Sequence, residues 1–380
     1  MTRTPQRRLG VTMLVGTLGR GGAEIFALEL AQRLDRSRFA VAICVTRRAF
    51  VPDIREAVEK SGLPVVYLDR TSSRDVRPWG RLVRHLRSQP ADILHAHTFS
   101  VNVWASVFGR VARTPVIIAT EHTWSYEGQP FRVFLDRHLV SRNAAFVAVS
   151  ERDRARMIEI ERVPAEVTRV IPTAYRGGGP VTSAPPLRSI IAAGHAGPIV
   201  GVVATLRPQK ALDVLVRAFQ RVCRQFPAAH LVVIGDGQER HSLEMLAASL
   251  GLERHVTFLG DRPDAVGLLA EFDVFALSSD FEGTPLALIE AMWASRAVVV
   301  TSVGGMPEMI VDGESGLLVP PGSPDALAEA ITHLLGDAAL RARLGAGAGE
   351  RARSLYSFER SVEAWENLYC ELYERARQRR

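Results

Sequence analysis

Two carboxylates bracket a helix start late in the chain, in Phe281-Glu282-Gly283-Thr284-Pro285-Leu286-Ala287-Leu288-Ile289-Glu290. The apolar run 274–277 before it reads as a buried strand, and 286–294 after it as a helix. Thr284 suits the N-cap and Pro285 the first helical position, where a missing N–H is no loss. The free N–H groups and positive dipole end of such a helix favour a phosphate. Glu282 sits on the loop and Glu290 about a turn and a half inside the helix, so the two cannot hold one group. Glu290 can accept hydrogen bonds from a ribose diol while Glu282 reaches the far side of a diphosphate. The plainer reading is two solvated glutamates flanking a cap.

A second loop offers cations. After the apolar run 199–204 comes Thr205-Leu206-Arg207-Pro208-Gln209-Lys210, then a helical pattern. One planar fork, Arg207, and one point charge, Lys210, at a helix start can neutralise a diphosphate leaving group without a metal. Gly235-Asp236-Gly237 ends another strand in a tight turn, and Ser302-Val303-Gly304-Gly305 repeats the loop-then-helix pattern with glycines that permit close backbone approach.

In the first half, Gly19-Arg20-Gly21-Gly22-Ala23-Glu24 follows the first strand and opens the first helix. Its glycines lack the Gly-x-Gly-x-x-Gly spacing, which argues against a dinucleotide oxidoreductase, yet such a loop still presents backbone donors to phosphate. His95 and His97 follow one strand end; Glu121 and His122 follow another. No His-x-x-x-His helix accompanies them and the cysteines lie elsewhere, so no metal site is expected. Each histidine alone suits a structural role; together, at strand ends, one of them is a candidate for substrate contact.

The elements that must position these groups alternate. Strand-like runs at 11–15, 40–45, 65–68, 93–95, 116–120 and 146–149 are separated by helical patterns at 23–34, 53–61, 78–88, 100–112 and 130–142. A Gly/Pro/Ser-rich connector fills 172–197, after which strands recur at 199–204, 230–234, 256–259, 274–277, 297–301 and 316–318. This is α/β patterning with parallel βαβ units, in two successive doubly wound halves. The expected domains are 1–173 and 174–357, with an amphipathic helix from about 358 to 380 crossing back to the first. Ligands of such sheets bind beyond the strands' carboxyl ends, so two halves facing each other would enclose a cleft.

Composition narrows the partners. At 380 residues, 47% hydrophobic and 23% charged, the chain is globular and long enough for two cores. Residues 1–173 carry 27 Lys+Arg against 17 Asp+Glu (+10), and the remainder 20 against 24 (−4). The basic half points to an anionic partner, such as a membrane surface or lipid carrier; its arginines lack interleaved aromatics, against nucleic acid. Arg3, Arg7 and Arg8 ahead of the apolar run 9–18 imitate a signal segment, but a glycine loop follows instead of a cleavage site, and a first strand explains the run. No apolar run approaches the roughly 18 residues that cross a bilayer, which implies a cytoplasmic protein, at most apposed to the membrane's inner face. Cys44, Cys223 and Cys370 read as buried reduced thiols.

From Gly21-Gly22-Ala23-Glu24 to Gly313-Glu314-Ser315-Gly316-Leu317-Leu318-Val319, the chain resembles glycosyltransferase family 4, retaining enzymes of GT-B type with two facing Rossmann-like domains. The most specific element is the Glu-x7-Glu pattern of Glu282 and Glu290 within Phe-Glu-Gly-Thr-Pro, followed by Gly304-Gly305-x-Pro-Glu308. The resemblance implies that Arg207 and Lys210 neutralise the diphosphate, Glu282 contacts the donor sugar, Glu290 holds the ribose, and backbone groups at Thr284, Pro285 and Leu286 line the phosphates. It implies Gly22 closing on the diphosphate from the other domain, His122 beside the reacting sugar or acceptor, and base recognition near Gly260–Arg262. Implied too are a UDP- or GDP-linked sugar as substrate, a glycan or lipid-linked acceptor in bacterial polysaccharide or glycolipid assembly, and no cofactor or required metal. Members are thought to use front-face attack assisted by the departing phosphate. Two departures stand out: Lys210-Ala211 replaces the family's Lys-Gly, and Pro172-Thr173-Ala174 its Pro-Asn-Gly. A nucleotide-sugar epimerase of the same fold, or a nucleotide-sugar-binding module without turnover, would share this frame.

Overall fold

The structure, a computed structural model, describes residues 7–379 apart from 20, 73–74, 90, 123–128, 176, 178–185 and 192–194. Arg3, Arg20 and most of the connector's glycine–proline stretch therefore lie outside the described residues. The chain divides into two compact units, 1–173 with 359–380, and 174–358.

The first unit runs β1 (Leu9–Val15), α1 (Gly22–Arg33), β2 (Phe39–Val45), α2 (Pro52–Lys60), β3 (Val65–Tyr67), α3 (Trp79–Ser88), β4 (Ile93–His97), α4 (Phe99–Ala112), β5 (Val116–Glu121), α5 (Pro130–His138), β6 (Ala145–Ala148), α6 (Glu151–Glu159) and β7 (Thr168–Val170). Its strands form a parallel sheet in the order β3-β2-β1-β4-β5-β6-β7. Parallel neighbours need crossovers, which the helices supply; helices on both faces explain why β4, β5 and β6 are buried throughout. The opening apolar run is β1, with Val11, Met13, Leu14 and Val15 in the core. α6 breaks the apolar periodicity because Met157 is its one buried apolar side chain; Ser150 caps it by accepting from the Asp153 amide at 3.0 Å.

The second unit runs α7 (Leu187–Ile191), β8 (Ile199–Val203), α8 (Leu212–Gln225), β9 (His230–Ile234), α9 (Arg240–Ser249), β10 (Val256–Gly260), α10 (Ala265–Leu269), β11 (Val274–Leu277), α11 (Leu286–Trp293), β12 (Ala297–Thr301), α12 (Met306–Met309), β13 (Leu317–Val319), α13 (Pro324–Gly336) and α14 (Ala338–Leu355). The strand order is β10-β9-β8-β11-β12-β13, again parallel. Part of the expected connector is folded: α7 buries Leu187, whose amide donates to Glu271 Oε1 at 2.6 Å.

The last helix, α15 (Phe358–Gln378), belongs from Glu359 onward to the first unit. It buries Trp365 and Tyr369, while the Glu366 carboxylate accepts from the Asp35 amide at 2.8 Å and pairs with Arg38 at 2.6 Å. The cysteines are free; Cys44 is buried as expected, but Cys223 and Cys370 are only half-buried, Cys370 Sγ taking a hydrogen bond from Arg38. Among the described residues, no helix is long and apolar enough to cross a membrane.

In both sheets the strand order reverses once, between β1 and β4 and between β8 and β11. Those are the topological switch points, where loops leaving adjacent strands diverge and leave a crevice.

Candidate functional site

At the second unit's switch point the loops after β8 and β11 are stitched together. The Asp280 amide donates to the Gln209 carbonyl at 2.9 Å, Gln209 Nε2 donates to the Phe281 carbonyl at 3.0 Å, and Ser278 Oγ lies 2.9 and 2.8 Å from the carbonyls of Lys210 and Ala211. These contacts bring Lys210 Nζ onto Glu282 Oε1, the same oxygen to which Ser279 Oγ donates at 2.8 Å. The pair is well enclosed, the Lys210 side chain 18% and the Glu282 side chain 4% exposed. A buried carboxylate needs such partners, since desolvating an unpaired one is prohibitive.

A third loop backs Glu282. The Gly305 amide donates to the Glu282 carbonyl at 3.2 Å, and Gly304 has φ +51. A Cβ on Gly304 would lie 1.5 Å from that carbonyl oxygen, so only glycine fits, both for space and for backbone.

The helix start differs by one residue from the expected one. α11 begins at Leu286, and Pro285, extended at φ −67 and ψ 122, occupies the cap position without a side-chain capping bond; Thr284 lies one residue too early to cap. Pro285 has a φ that a helix would accept, and its ψ of 122 is what leaves it outside α11. The amides of Leu286 and Ala287 consequently have no hydrogen-bond partner among the described residues. Glu290, fifth in α11, is half-buried, its carboxyl makes no hydrogen bond among the described residues, and desolvation pushes it up to about 8. Arg207 is exposed and likewise makes no side-chain hydrogen bond among the described residues. Gly260 ends the edge strand β10 at φ +67, and its carbonyl accepts from the Gly235 amide at 2.8 Å. The Leu206 amide donates to Asp236 at 2.9 Å, so the β10, β9 and β8 ends form one connected rim. Ala211 stands at φ +43, ψ +45, where a methyl group is strained and the family's glycine would not be.

The first unit's switch point is built differently. Gly22 is the first residue of α1, after an extended Gly21, and Phe26 on that helix meets the His122 ring edge-on at 5.8 Å. His97 Nδ1 lies 3.0 Å from His122 Nε2, and His95 joins Tyr369 Oη and Thr120 Oγ1, each at 2.7 Å. Burial holds all three imidazoles below the ordinary histidine range, His122 at about 4. Asp136 is buried beside Glu161 and Glu121, and desolvation with those neighbouring carboxylates pushes it up to about 9. Near neutral pH this cluster of rings and Asp136 is therefore uncharged.

Of the residues singled out from sequence, Arg207, Lys210, Gly260, Glu282, Thr284, Pro285, Leu286 and Glu290 fall in the second unit, and Gly22 and His122 in the first. Ser278, Ser279, Thr120 and Tyr369 escaped the sequence reading. One usable signal also did: the chain has two lysines, Lys60 and Lys210, against 45 arginines. A lysine kept where arginine is the habit marks a place that needs a compact ammonium.

Two doubly wound units, the second carrying a cation–carboxylate pair at its switch point, define the GT-B class of fold. Anabaena HepE, solved in complex with UDP-glucose, matches with a TM-score of 0.80 and 22% identity, covering 98% of this chain and 100% of that one. The family model for glycosyltransferase family 4 matches residues 20–175, and that for glycosyl transferases group 1 matches residues 186–351. The chain belongs to glycosyltransferase family 4. It is 29% identical over 347 residues to the phosphatidyl-myo-inositol mannosyltransferase of Mycobacterium leprae, covering 88% of each chain. It is 34% identical over 183 residues to the D-inositol 3-phosphate glycosyltransferase of Corynebacterium jeikeium, covering 46% of this chain and 43% of that one. Two other curated relatives are likewise spanned over less than half their length.

Proposed function

We propose that this protein transfers a sugar, with retention and without a required metal, from a UDP- or GDP-linked donor to a glycan or lipid-linked acceptor in bacterial polysaccharide or glycolipid assembly. The observation that carries the reading is the second unit's switch point. There Lys210 is held by Glu282, while among the described residues the Arg207 side chain, two α11 amides and the Glu290 carboxyl make no hydrogen bond. Arg207, Lys210 and the α11 amides offer cationic and N–H donors to a diphosphate, Glu290 an acceptor to a ribose diol, and Glu282 an oxygen to the donor sugar.

Retention by a covalent intermediate would need a carboxylate nucleophile about 5 Å from a partner acid. Glu282 is engaged by Lys210 and Ser279, which favours front-face attack with the leaving phosphate taking the acceptor proton. The basic first half and the similarity to a phosphatidyl-myo-inositol mannosyltransferase support work at the inner face of an anionic membrane.

A panel of UDP- and GDP-sugars, with lipid extracts as acceptors and mass-spectrometric detection, tests this. Expected are release of nucleoside diphosphate, a glycosylated product with the donor's anomeric configuration, and rates unaffected by EDTA. Binding without release from any donor would leave a binding module, and free epimerised sugar would make the protein an epimerase.

A further inference from the structure

The three histidines hold more information than their burial. His97 is 1% exposed, and its Nε2 is buried with no hydrogen-bond partner among the described residues, while its Nδ1 faces His122 Nε2 at 3.0 Å. Both rings are neutral near pH 7 because burial disfavours their charged forms, so each carries one ring proton and only one proton lies between them. Were His122 the donor from Nε2, His97 would bear its own proton on Nε2, leaving a buried N–H with no acceptor. With His97 donating from Nδ1, its Nε2 is a bare lone pair instead. Orphaned buried N–H groups are the rarer and costlier of the two, so the second arrangement wins. His122 then keeps its proton on Nδ1, which has no partner among the described residues.

The surroundings hold His97 to this task. Its ring packs 4.1 Å from His95, centroid to centroid, and His95 is clamped by Tyr369 Oη on one nitrogen, Thr120 Oγ1 on the other, and the Trp365 ring at 4.4 Å. Tyr369 and Trp365 belong to α15, so the chain's last helix forms the back wall of the cluster.

We propose that His97 is a positioning residue that locks His122 in its Nδ1–H tautomer, so that His122 offers a hydrogen-bond donor, and not a base, to an oxygen of the sugar or acceptor. The identity of that oxygen rests on the transferase reading; the tautomer does not.

The test uses the full chain with 15N-labelled histidine and long-range 1H–15N correlation near neutral pH, His122 being assigned by its loss in His122→Gln. The expected spectrum shows a pyrrole-type Nδ1 and a pyridine-type Nε2 on His122. His97→Phe keeps a ring and removes the donor; His122 should move towards the Nε2–H form, and kcat should fall about 10-fold, with the donor KM within about twofold. His97→Asn, whose amide nitrogen can stand in for Nδ1, should restore the tautomer and most of kcat, which a merely structural histidine would not predict. An Nε2–H form in the parent protein overturns the proposal, as does a His97→Phe variant with unchanged tautomer and kcat. Should no donor be turned over at all, the transferase reading falls while the spectra still decide the role of His97.

Discussion

The two switch points share a topology and differ in electrostatics. Both lie where a parallel sheet reverses its strand order, β1 beside β4 and β8 beside β11, and both gather loops from three neighbouring strand ends. The second unit fills its crevice with an ion pair, a free guanidinium, bare amides and a carboxylate that resists ionisation. The first fills its own with neutral rings and hydroxyls tied to one another, next to the Glu121 carboxyl at the end of β5. Under the proposed function, the second switch point takes the diphosphate and the first the hydroxyl groups, one fold put to two uses.

The strongest way to break that contrast is to remove charge from the second unit. Lys210→Ala and Glu282→Ala should each lower turnover at least about 100-fold, the scale lost with one oriented charge-stabilising group. Near-normal rates in both would end the donor-site assignment. Next comes the backbone behind the pair: Gly304→Ala puts a methyl against the Glu282 carbonyl and should destabilise the fold by about 2 kcal/mol in denaturant melts, while raising the donor KM. An unchanged midpoint would show that the loop is free to move.

The third prediction concerns pH. Glu290 accepts a diol best when ionised, so the donor KM should fall as pH rises through about 8, and Glu290→Gln should flatten that profile. Stability without ligand runs the other way. A carboxyl whose folded pKa is raised contributes stability at pH below its unfolded value and loses it as pH climbs through about 8, so the melting temperature should decline over that window and less steeply in Glu290→Gln. Asp136, at about 9, acts with the same sign and should preserve part of the decline. The smallest effect is expected at Ala211: replacing it by glycine at φ +43 should relieve strain and stabilise by about 1 kcal/mol, measurable by the shift in denaturation midpoint.

How much of this could be read from sequence follows the range of the interaction. Strands such as 274–277 and 297–301 are continuous apolar runs, which is how a strand covered on both faces must look, so the two sheets were legible. α6 was not, because a helix of Glu, Arg and Asp around Met157 has no apolar stripe to count. Glu282, Arg207 and Lys210 could be named because each sits just past a strand end, and Glu290 because it lies on the helix that the Glu282 loop opens. That Lys210 closes on Glu282 could not, since 72 residues separate them and only the β8–β11 adjacency unites them. Tyr369 on His95 is the extreme case, 274 residues apart and joined by a terminal helix whose destination the local pattern does not encode.

The scarcity of lysine gives the ion pair an experimental use. Lys60 is an exposed residue on α2 paired with Glu56, whereas Lys210 is largely enclosed. Replacing Lys60 by arginine would leave Lys210 as the sole side-chain amine of the chain. An amine-selective acylating reagent, its adduct on the Lys210 peptide read by mass spectrometry apart from that on the terminal amine, would then report on one side-chain nitrogen, and the slowing of that reaction by added nucleotide would record occupancy of the site, with no acceptor and no turnover needed.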